Sequence, residues 1–409
     1  MGRARRARNA TKGYLCRVWR SSAQPCLSRE NTLDAAVIND KFPFSMKVLI
    51  AGICGFVGSA LARRIRETTP DAEVFGIDNL MRSGSESNRR LSHLSTRVFH
   101  GDIRNASDVD CLPPADWIID AAANCSVLAG LDRRSTTRQL IEHNLFGTVN
   151  LLEYCRRHSA GFILLSTSRV YSIRSLSGLP LQVERTRFVP CFAEAALSGI
   201  SPAGIAEDFS TDAPVSLYGA SKLASEALAL EYGDAFDFPV WINRCGVLAG
   251  AGQFGTAEQG IFSYWLHAWR SQRPLRYIGF GGKGYQVRDA FHPEDLADLV
   301  LQQLQYRGRD RQRLCNVGGG IENAMSLLEL SNWCREHFGA REVEADGKER
   351  PFDIPWVVLD SHRAASVWNW TPVRRLPSIL DEIARHAEKH PDWLRLTGES
   401  ELAAKRTSN

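Results

Sequence analysis

The stretch Lys47-Val-Leu-Ile-Ala-Gly52-Ile-Cys-Gly55-Phe-Val-Gly58 decides the fold. Its first five residues are aliphatic and β-favouring, so they predict a buried strand opening directly after Met46. Three glycines follow at three-residue spacing, and Ser59 to Glu67 has the periodicity of a helix. Strand, glycine turn and helix in that order make a phosphate cradle. Backbone amides and the positive helix end face an anion that no side chain obstructs. Gly52 permits the tight turn, Gly55 lets a pyrophosphate approach, and Gly58 lets the helix lie close on the strand. The spacing is GxxGxxG, not the GxGxxG of many dehydrogenases, so the turn needs support from its context.

That support comes from the strands that follow. Glu73-Val-Phe-Gly-Ile77 runs into Asp78, twenty residues beyond Gly58, where a carboxylate grips an adenosine ribose diol. A carboxylate there repels a 2′-phosphate, which favours NAD over NADP, although Arg82 stands close enough to work against it. Arg97-Val-Phe-His100 leads to Gly101-Asp102-Ile103, placed to meet the adenine. Trp117–Ala122, Gly161–Leu165, Pro239–Asn243 and Leu314–Val317 continue the series, and an intervening helix contains Asn144–Glu153. Strands alternating with helices predict an α/β fold: a Rossmann-type, doubly wound parallel sheet with a smaller mixed C-terminal lobe. In such sheets ligands collect at the carboxyl ends of the strands.

Two further stretches fall at those ends, Ser166-Thr167-Ser168 and Tyr218-Gly-Ala-Ser-Lys222. Leu217 to Glu231 is helical in pattern, so Tyr218 and Lys222 stand one turn apart on one face. A free phenol has a pKa near ~10 and is a poor base at neutral pH. An ammonium roughly 4 Å away is worth on the order of 4 kcal/mol at an effective dielectric of ~20. At about 1.36 kcal/mol per pKa unit, Lys222 is expected to bring the phenol into working range, with Thr167 holding a substrate alcohol against it. A tyrosine and lysine four apart are more often an ordinary helix-surface pair. Here the glycine turn, Asp78, Asp102 and Thr167 all map to the same edge, which makes the pair an active-site candidate.

Composition narrows the class. At 409 residues, 44% apolar and 23% charged, the chain is that of a globular protein. The net charge of +4 is misleading, because residues 1–45 hold nine Lys/Arg against three Asp/Glu, leaving −2 for residues 46–409. A near-neutral body argues against a nucleic-acid surface, and no apolar run is long enough for a membrane span. Ten scattered cysteines with no CxxC pair point to reduced thiols in a cytoplasm, with neither a disulfide scaffold nor a metal site. Residues 1–45 are expected to be a disordered basic extension or an over-long start. Residues 46–245 read as a dinucleotide-binding domain containing a long irregular excursion at 172–215, of the kind that forms lids or binding loops. Residues 246–390 read mainly as a substrate lobe with a returning strand near 314–317, and 391–409 as a tail.

These motifs resemble the extended short-chain dehydrogenases/reductases of the NAD-dependent epimerase/dehydratase group, which act on nucleotide-diphosphate sugars. The carriers are Gly52-x-x-Gly55-Phe56-Val57-Gly58, Asp78-Asn79-Leu, Gly101-Asp102-Ile103, Thr167, Tyr218-x-x-x-Lys222, Val287-Arg288-Asp289 and Arg350-Pro-x-Asp353. Longer stretches, Asp120–Gly130, Leu165–Ser172, Asn243–Gln253, Gln259–Phe262 and Gly279–Asp289, resemble the branch that inverts C2 of CDP-paratose to give CDP-tyvelose, a step in lipopolysaccharide O-antigen biosynthesis. The resemblance implies Tyr218 as acid/base, Lys222 as its partner and nicotinamide-ribose ligand, and Thr167 as the hydroxyl at the reacting oxygen. It adds Ala122 and Asn144 to the NAD site, and Ser126, Ser168 and Gln253 to the substrate site. Arg288 and Arg350 are implied as diphosphate clamps, with ion pairing to Asp289 and Asp353 as the plainer alternative. It also implies a homodimer or homotetramer. Cys125, in place of a proline, and Ile53-Cys54 depart from the usual pattern at positions that supply no chemistry; Cys245 is expected to pack. A 4,6-dehydratase needs an acid and a base after the threonine, whereas this chain has Ser168-Arg169. A 4-epimerase needs the same trio in a different sugar pose, and a non-catalytic dinucleotide-binding regulator would keep only the cofactor motifs.

Overall fold

The computed structural model describes residues 45–89, 96–131, 136–195 and 197–398. The expectation for residues 1–45 therefore lies, Ser45 apart, outside the described residues, as does the tail beyond 398. Seven strands form one sheet: β1 (Lys47–Ala51), β2 (Glu73–Asp78), β3 (Arg97–His100), β4 (Trp117–Asp120), β5 (Gly161–Thr167), β6 (Val240–Cys245) and β7 (Leu314–Val317). The order is β7-β6-β5-β4-β1-β2-β3, and every pairing is parallel. Both faces are covered. Val48 and Ile50 pack with Leu61 and Ile65 of the helix Phe56–Thr68 and with Leu299 and Val300 of the helix Pro293–Leu304. Leu49 and Ala51 face the other way, against Leu151 and Leu152 of the helix Gly147–His158. Two buried faces leave no room for a polar alternation, so the strand reads as an unbroken apolar run. Each such Val, Leu or Ile contributes about 1.5–3 kcal/mol on burial.

Register aims the chemistry. Asp120 at the end of β4 lies level with Leu164, so β5 continues three residues further, to Thr167. At about 3.3 Å per residue this carries Thr167 roughly 10 Å past the edge of β4. Sequence periodicity ended this strand at Leu165 and extended β4 to Ala122; the observed ends are Thr167 and Asp120. The last residues of β5 are polar (Ser166, Thr167), which disguised them as loop.

Beyond the sheet, Val247–Leu248, Val287–Phe291, Ala324–Ser326 and Trp356–Val357 make a second, smaller sheet. With the helices Ile261–Arg270, Leu327–Phe338 and Leu376–Lys389 it builds the smaller C-terminal lobe around Trp265, Leu266, Leu330 and Ile383. Residues 391–398, expected as tail, belong to this lobe. Trp393 is buried, stacks on Phe254 at 5.5 Å, and donates to the Gln253 carbonyl at 2.8 Å.

The excursion 172–215 is more ordered than its Ser, Pro and Gly content indicated. It contains the helical turn Ile173–Ser177 and two hairpins, Leu181–Glu184 with Arg187–Pro190 and Ile200–Ser201 with Gly204–Ile205. Its Leu176, Leu179, Ile205 and Phe209 are buried against Ile354–Leu359. These apolar contacts pack the excursion against the lobe, where sequence composition pointed to a lid or a binding loop. Among the described residues no helix is long and apolar enough to cross a membrane.

Candidate active site

The glycine turn is built as its spacing requires. The helix begins at Phe56, three residues earlier than periodicity indicated, because Gly55 serves as an extended N-cap (φ −66°, ψ 166°). A Cβ on Gly58 would stand 2.2 Å from the Gly52 carbonyl oxygen, and one on Gly52 (φ +75°) 2.9 Å from Ala122 Cα. On Gly55 a Cβ would meet only Gly52 O, at 3.1 Å. Gly52 and Gly58 thus answer to the protein's own packing, while Gly55 keeps a surface clear. No side chain caps the helix N-terminus and no acid occupies its first turn, so its positive end is left for an anionic ligand.

Asp78 stands at the end of β2 and binds the turn together, accepting from Cys54 N at 2.9 Å and Leu80 N at 2.8 Å. Burial pushes its carboxyl up, against the pull of those two N–H groups. Arg82, which had weakened the inference for NAD, is committed elsewhere: it donates to Gln259 Oε1 at 2.7 Å and to the Phe254 carbonyl. Asp102 is likewise engaged. Burial raises its carboxyl, yet hydrogen bonds from Arg104 and from Asn79 Nδ2 (3.0 Å) outweigh that and hold it well below the usual carboxylate range. Ile103 is buried and packs beside Gly147. Asn79 thus braces Asp102 and, through Oδ1, accepts from Met81 N at 3.1 Å. Phe56 and Val57 open the helix, and Ala122 abuts the turn. The residues present fit a dinucleotide, its pyrophosphate at the helix end and its ribose beside Asp78.

The catalytic candidates converge. The helix Ser216–Phe236 begins at the sheet edge and carries Tyr218 and Lys222, both buried. The Thr167 hydroxyl lies near enough to Tyr218 to oppose the upward shift of its phenol. The expectation that Lys222 would acidify the phenol does not hold in this structure. Burial pushes Tyr218 well above its ordinary value, Cys125 adds to the rise, and the opposing influences are Thr167 and Arg169. Desolvation outweighs the charge one turn away because the phenolate loses water on all sides. Lys222 is buried within Coulombic reach of Asp120 and Cys245. Burial drives the Cys245 thiol up to about 12, which suits packing.

Asp120 and a π-helical turn are the features that sequence reading missed. Asp120 is wholly buried and accepts from Thr148 Oγ1 at 2.7 Å. Burial raises its carboxyl, with Lys222 and Thr148 opposing. An acid interrupting the apolar run Trp117–Ala123 was the available signal. Residues Glu142–Phe146 form a π-helix, a local overwide turn typical of functional sites. It aims Asn144, which accepts from Asn124 N (2.8 Å) and donates to Asn124 O (2.9 Å) and Ser221 Oγ (3.2 Å). Asn144 therefore clamps the loop after β4 to the tyrosine helix. No sequence pattern announces such a turn.

A cleft of about 1280 Å³ opens between the sheet edge and the smaller lobe, lined by Ser126, Arg169, Arg288 and Arg350 among others. Strand alternation separates neighbours: Arg288 faces the cleft and pairs with Asp353 at 3.2 Å, while Asp289 turns inward to Gly320 N and Leu359 N. Arg350 reaches the Ala257 carbonyl at 3.4 Å. Ser168 is buried in the 3₁₀ turn behind Thr167. Gln253 is turned from the cleft, its amide donating to the Leu248 carbonyl at 2.7 Å; it braces the loop in this structure.

The profile of the NAD dependent epimerase/dehydratase family matches residues 48–318, covering the glycine turn, Thr167, Tyr218 and Lys222. The chain belongs to this family. Its cofactor is accordingly NAD, and its relatives are nucleotide-sugar enzymes. A CDP-paratose 2-epimerase of Salmonella typhi is 31% identical over 80% of this chain and 95% of its own length. A dTDP-glucose 4,6-dehydratase of Salmonella typhimurium is 30% identical over 85% and 94%. In fold the chain is similar to the UDP-glucuronic acid 4-epimerase of Bacillus cereus, at a TM-score of 0.65 and 22% identity over 84% of this chain and 99% of that one. Overall identity therefore does not separate epimerase from dehydratase; the residues beside Thr167 must.

Proposed function

We propose that this protein is an epimerase of a nucleotide-diphosphate sugar, inverting C2 of CDP-paratose to give CDP-tyvelose. The observation that carries the reading is that Thr167 and Tyr218 are buried close together, with Ser168 and the cleft-lining Arg169 next to them. Elimination of water needs a carboxylic acid and a base next to that hydroxyl pair, and a serine and a guanidinium supply neither. The choice of C2 and of a CDP-sugar rests on likeness to the Salmonella typhi protein.

NAD⁺ held by the glycine turn and Asp78 would supply a reversible hydride acceptor for the sugar carbon and a positive charge favouring the ionised phenol. Tyr218, once ionised, takes the hydroxyl proton as the carbonyl forms and gives it back when the ketone has turned its other face. Thr167 holds the reacting oxygen against Tyr218 throughout. Arg288 and Arg350 grip the diphosphate, their planar forks suited to phosphate oxygens, so the sugar can reorient on a fixed anchor. In this reading residues 46–245 supply the dinucleotide domain and the lobe beyond supplies the clamp.

The test is a substrate panel of CDP-paratose, UDP-glucose and dTDP-glucose with product stereochemistry read by NMR. Inversion at C2 of CDP-paratose is expected, with dinucleotide co-purifying because loss of NADH would strand the ketone. Inversion at C4 of UDP-glucose, or a 4-keto-6-deoxy product from dTDP-glucose, would replace this assignment.

A further inference from the structure

Arg169 follows Thr167 by two residues in the 3₁₀ turn Ser168–Val170, its backbone N–H donating to Thr167 Oγ1 at 3.2 Å. The turn is locked to the tyrosine helix, because Gly219 lies so close that a Cβ there would stand 2.3 Å from the Arg169 carbonyl oxygen. Position and orientation are therefore tied to Thr167 and Tyr218 together. The side chain reaches into the cleft, where Nη1 donates to the Phe352 carbonyl at 3.2 Å, beside the Arg350–Asp353 segment.

Among the described residues the charge there is unbalanced: six arginines line the cleft (82, 169, 273, 276, 288 and 350) against Glu258 and Asp353. Arg82 is taken up by Gln259 and Arg276 by Glu344, away from the centre. Arg169, Arg288 and Arg350 crowd around Asp353. Burial and then the neighbouring Arg288 push Arg169 down to about 10, and burial lowers Arg288 as well. Like charges held together out of water are costly unless an anion joins them. A nucleotide-diphosphate ester brings two negative charges, one on each phosphate.

We propose that Arg169 is the third arm of the diphosphate clamp, gripping the sugar-proximal phosphate between Arg288 and the Thr167–Tyr218 pair. This rests on the nucleotide-sugar reading and deepens it. The sugar is then anchored through its phosphate, adjacent to the reacting hydroxyl, and its ring stays free to present either face. A side chain that would serve a dehydratase as acid or base serves here as a substrate ligand.

The experiment is calorimetric titration of the NAD-loaded enzyme with CDP, CMP, UDP and UMP, for wild type, Arg169→Gln and Arg169→Lys, with melting temperature and bound dinucleotide as controls on folding. CDP and UDP carry the sugar-proximal phosphate; CMP and UMP lack it. Arg169→Gln is expected to weaken diphosphate binding roughly 10- to 100-fold, with monophosphate affinity within about twofold of wild type and Arg169→Lys intermediate. Equal losses for mono- and diphosphates, or a variant that binds diphosphates as wild type does, would overturn this role alone. Wild type that binds none of the four would overturn the nucleotide-sugar reading and this role with it.

Discussion

Replacing the second and third glycines of the turn by alanine separates packing from ligand binding. Gly58→Ala places a methyl 2.2 Å from the Gly52 carbonyl oxygen and 2.9 Å from Ile53 Cα, both backbone atoms of a turn already closed by Gly55 N to Gly52 O at 3.0 Å. Forced overpacking of this kind costs about 1–3 kcal/mol, and a contact this short belongs at the upper end. Gly58 lies within the helix Phe56–Thr68, so alanine returns about 1 kcal/mol of helix propensity. The net loss is about 2 kcal/mol. At roughly 2 °C per kcal/mol, the lower edge for chains larger than 250 residues, the melting temperature of dinucleotide-free protein should fall by about 4 °C. Gly55→Ala has an ordinary extended φ and one tolerable contact at 3.1 Å, so its melting temperature should stay within about 1 °C of wild type. Both variants should bind NAD poorly, Gly58→Ala through a displaced turn and Gly55→Ala through a methyl on the ligand side. Scanning fluorimetry of stripped protein, paired with NAD titration, reads the two effects apart. A Gly55→Ala protein that keeps wild-type NAD affinity would show that the turn does not face the pyrophosphate. One that melts as low as Gly58→Ala would show that the packing difference between the two sites is misassigned.

Three further outcomes are expected. Tyr218→Phe keeps the ring but removes the phenol, so turnover should drop at least ~100-fold while dinucleotide still co-purifies; unchanged kcat would refute the acid/base role. Glu226→Gln leaves the buried Arg244, now paired to Glu226 at 2.7 Å, without its counter-ion, at a cost of about 3–5 kcal/mol in denaturant melts. A loss below about 1 kcal/mol would mean the pair contributes little beneath the active site. Burial pushes the Asp289 carboxyl up to about 6, above the ~4 of an unfolded chain, so the folded state binds the extra proton between those values. The stability this contributes is present below pH ~4 and is lost as pH rises through about 6. Asp289→Asn should therefore gain on wild type by about 2–3 kcal/mol over that window. A constant difference between the two proteins from pH 4 to 7 would exclude the assignment.

The cofactor half of the site is legible in the sequence because it is local. A glycine turn closes over seven residues, and Asp78 follows by a spacing that one helix and one strand dictate. The apolar runs of β1 to β7 declare a sheet covered on both faces, and Tyr218 and Lys222 share a helix face through the 3.6-residue period alone. What those neighbours do to one another is a tertiary matter. The sequence places an ammonium one turn from the phenol; only the fold shows that burial drives the phenol up, and that Lys222 is buried within Coulombic reach of Asp120. Asn144 reaches Asn124 and Ser221 through a π-helical turn that has no sequence signature. The excursion 172–215 reads as loop because its apolar residues are spaced irregularly, and they find their partners some 150 residues away, in Ile354–Leu359. Arg169 reads as one more charge after a strand. Electrostatics and desolvation depend on what surrounds a group in space, so the sequence determined which groups this protein has, and the tertiary structure decided which of them face the cleft.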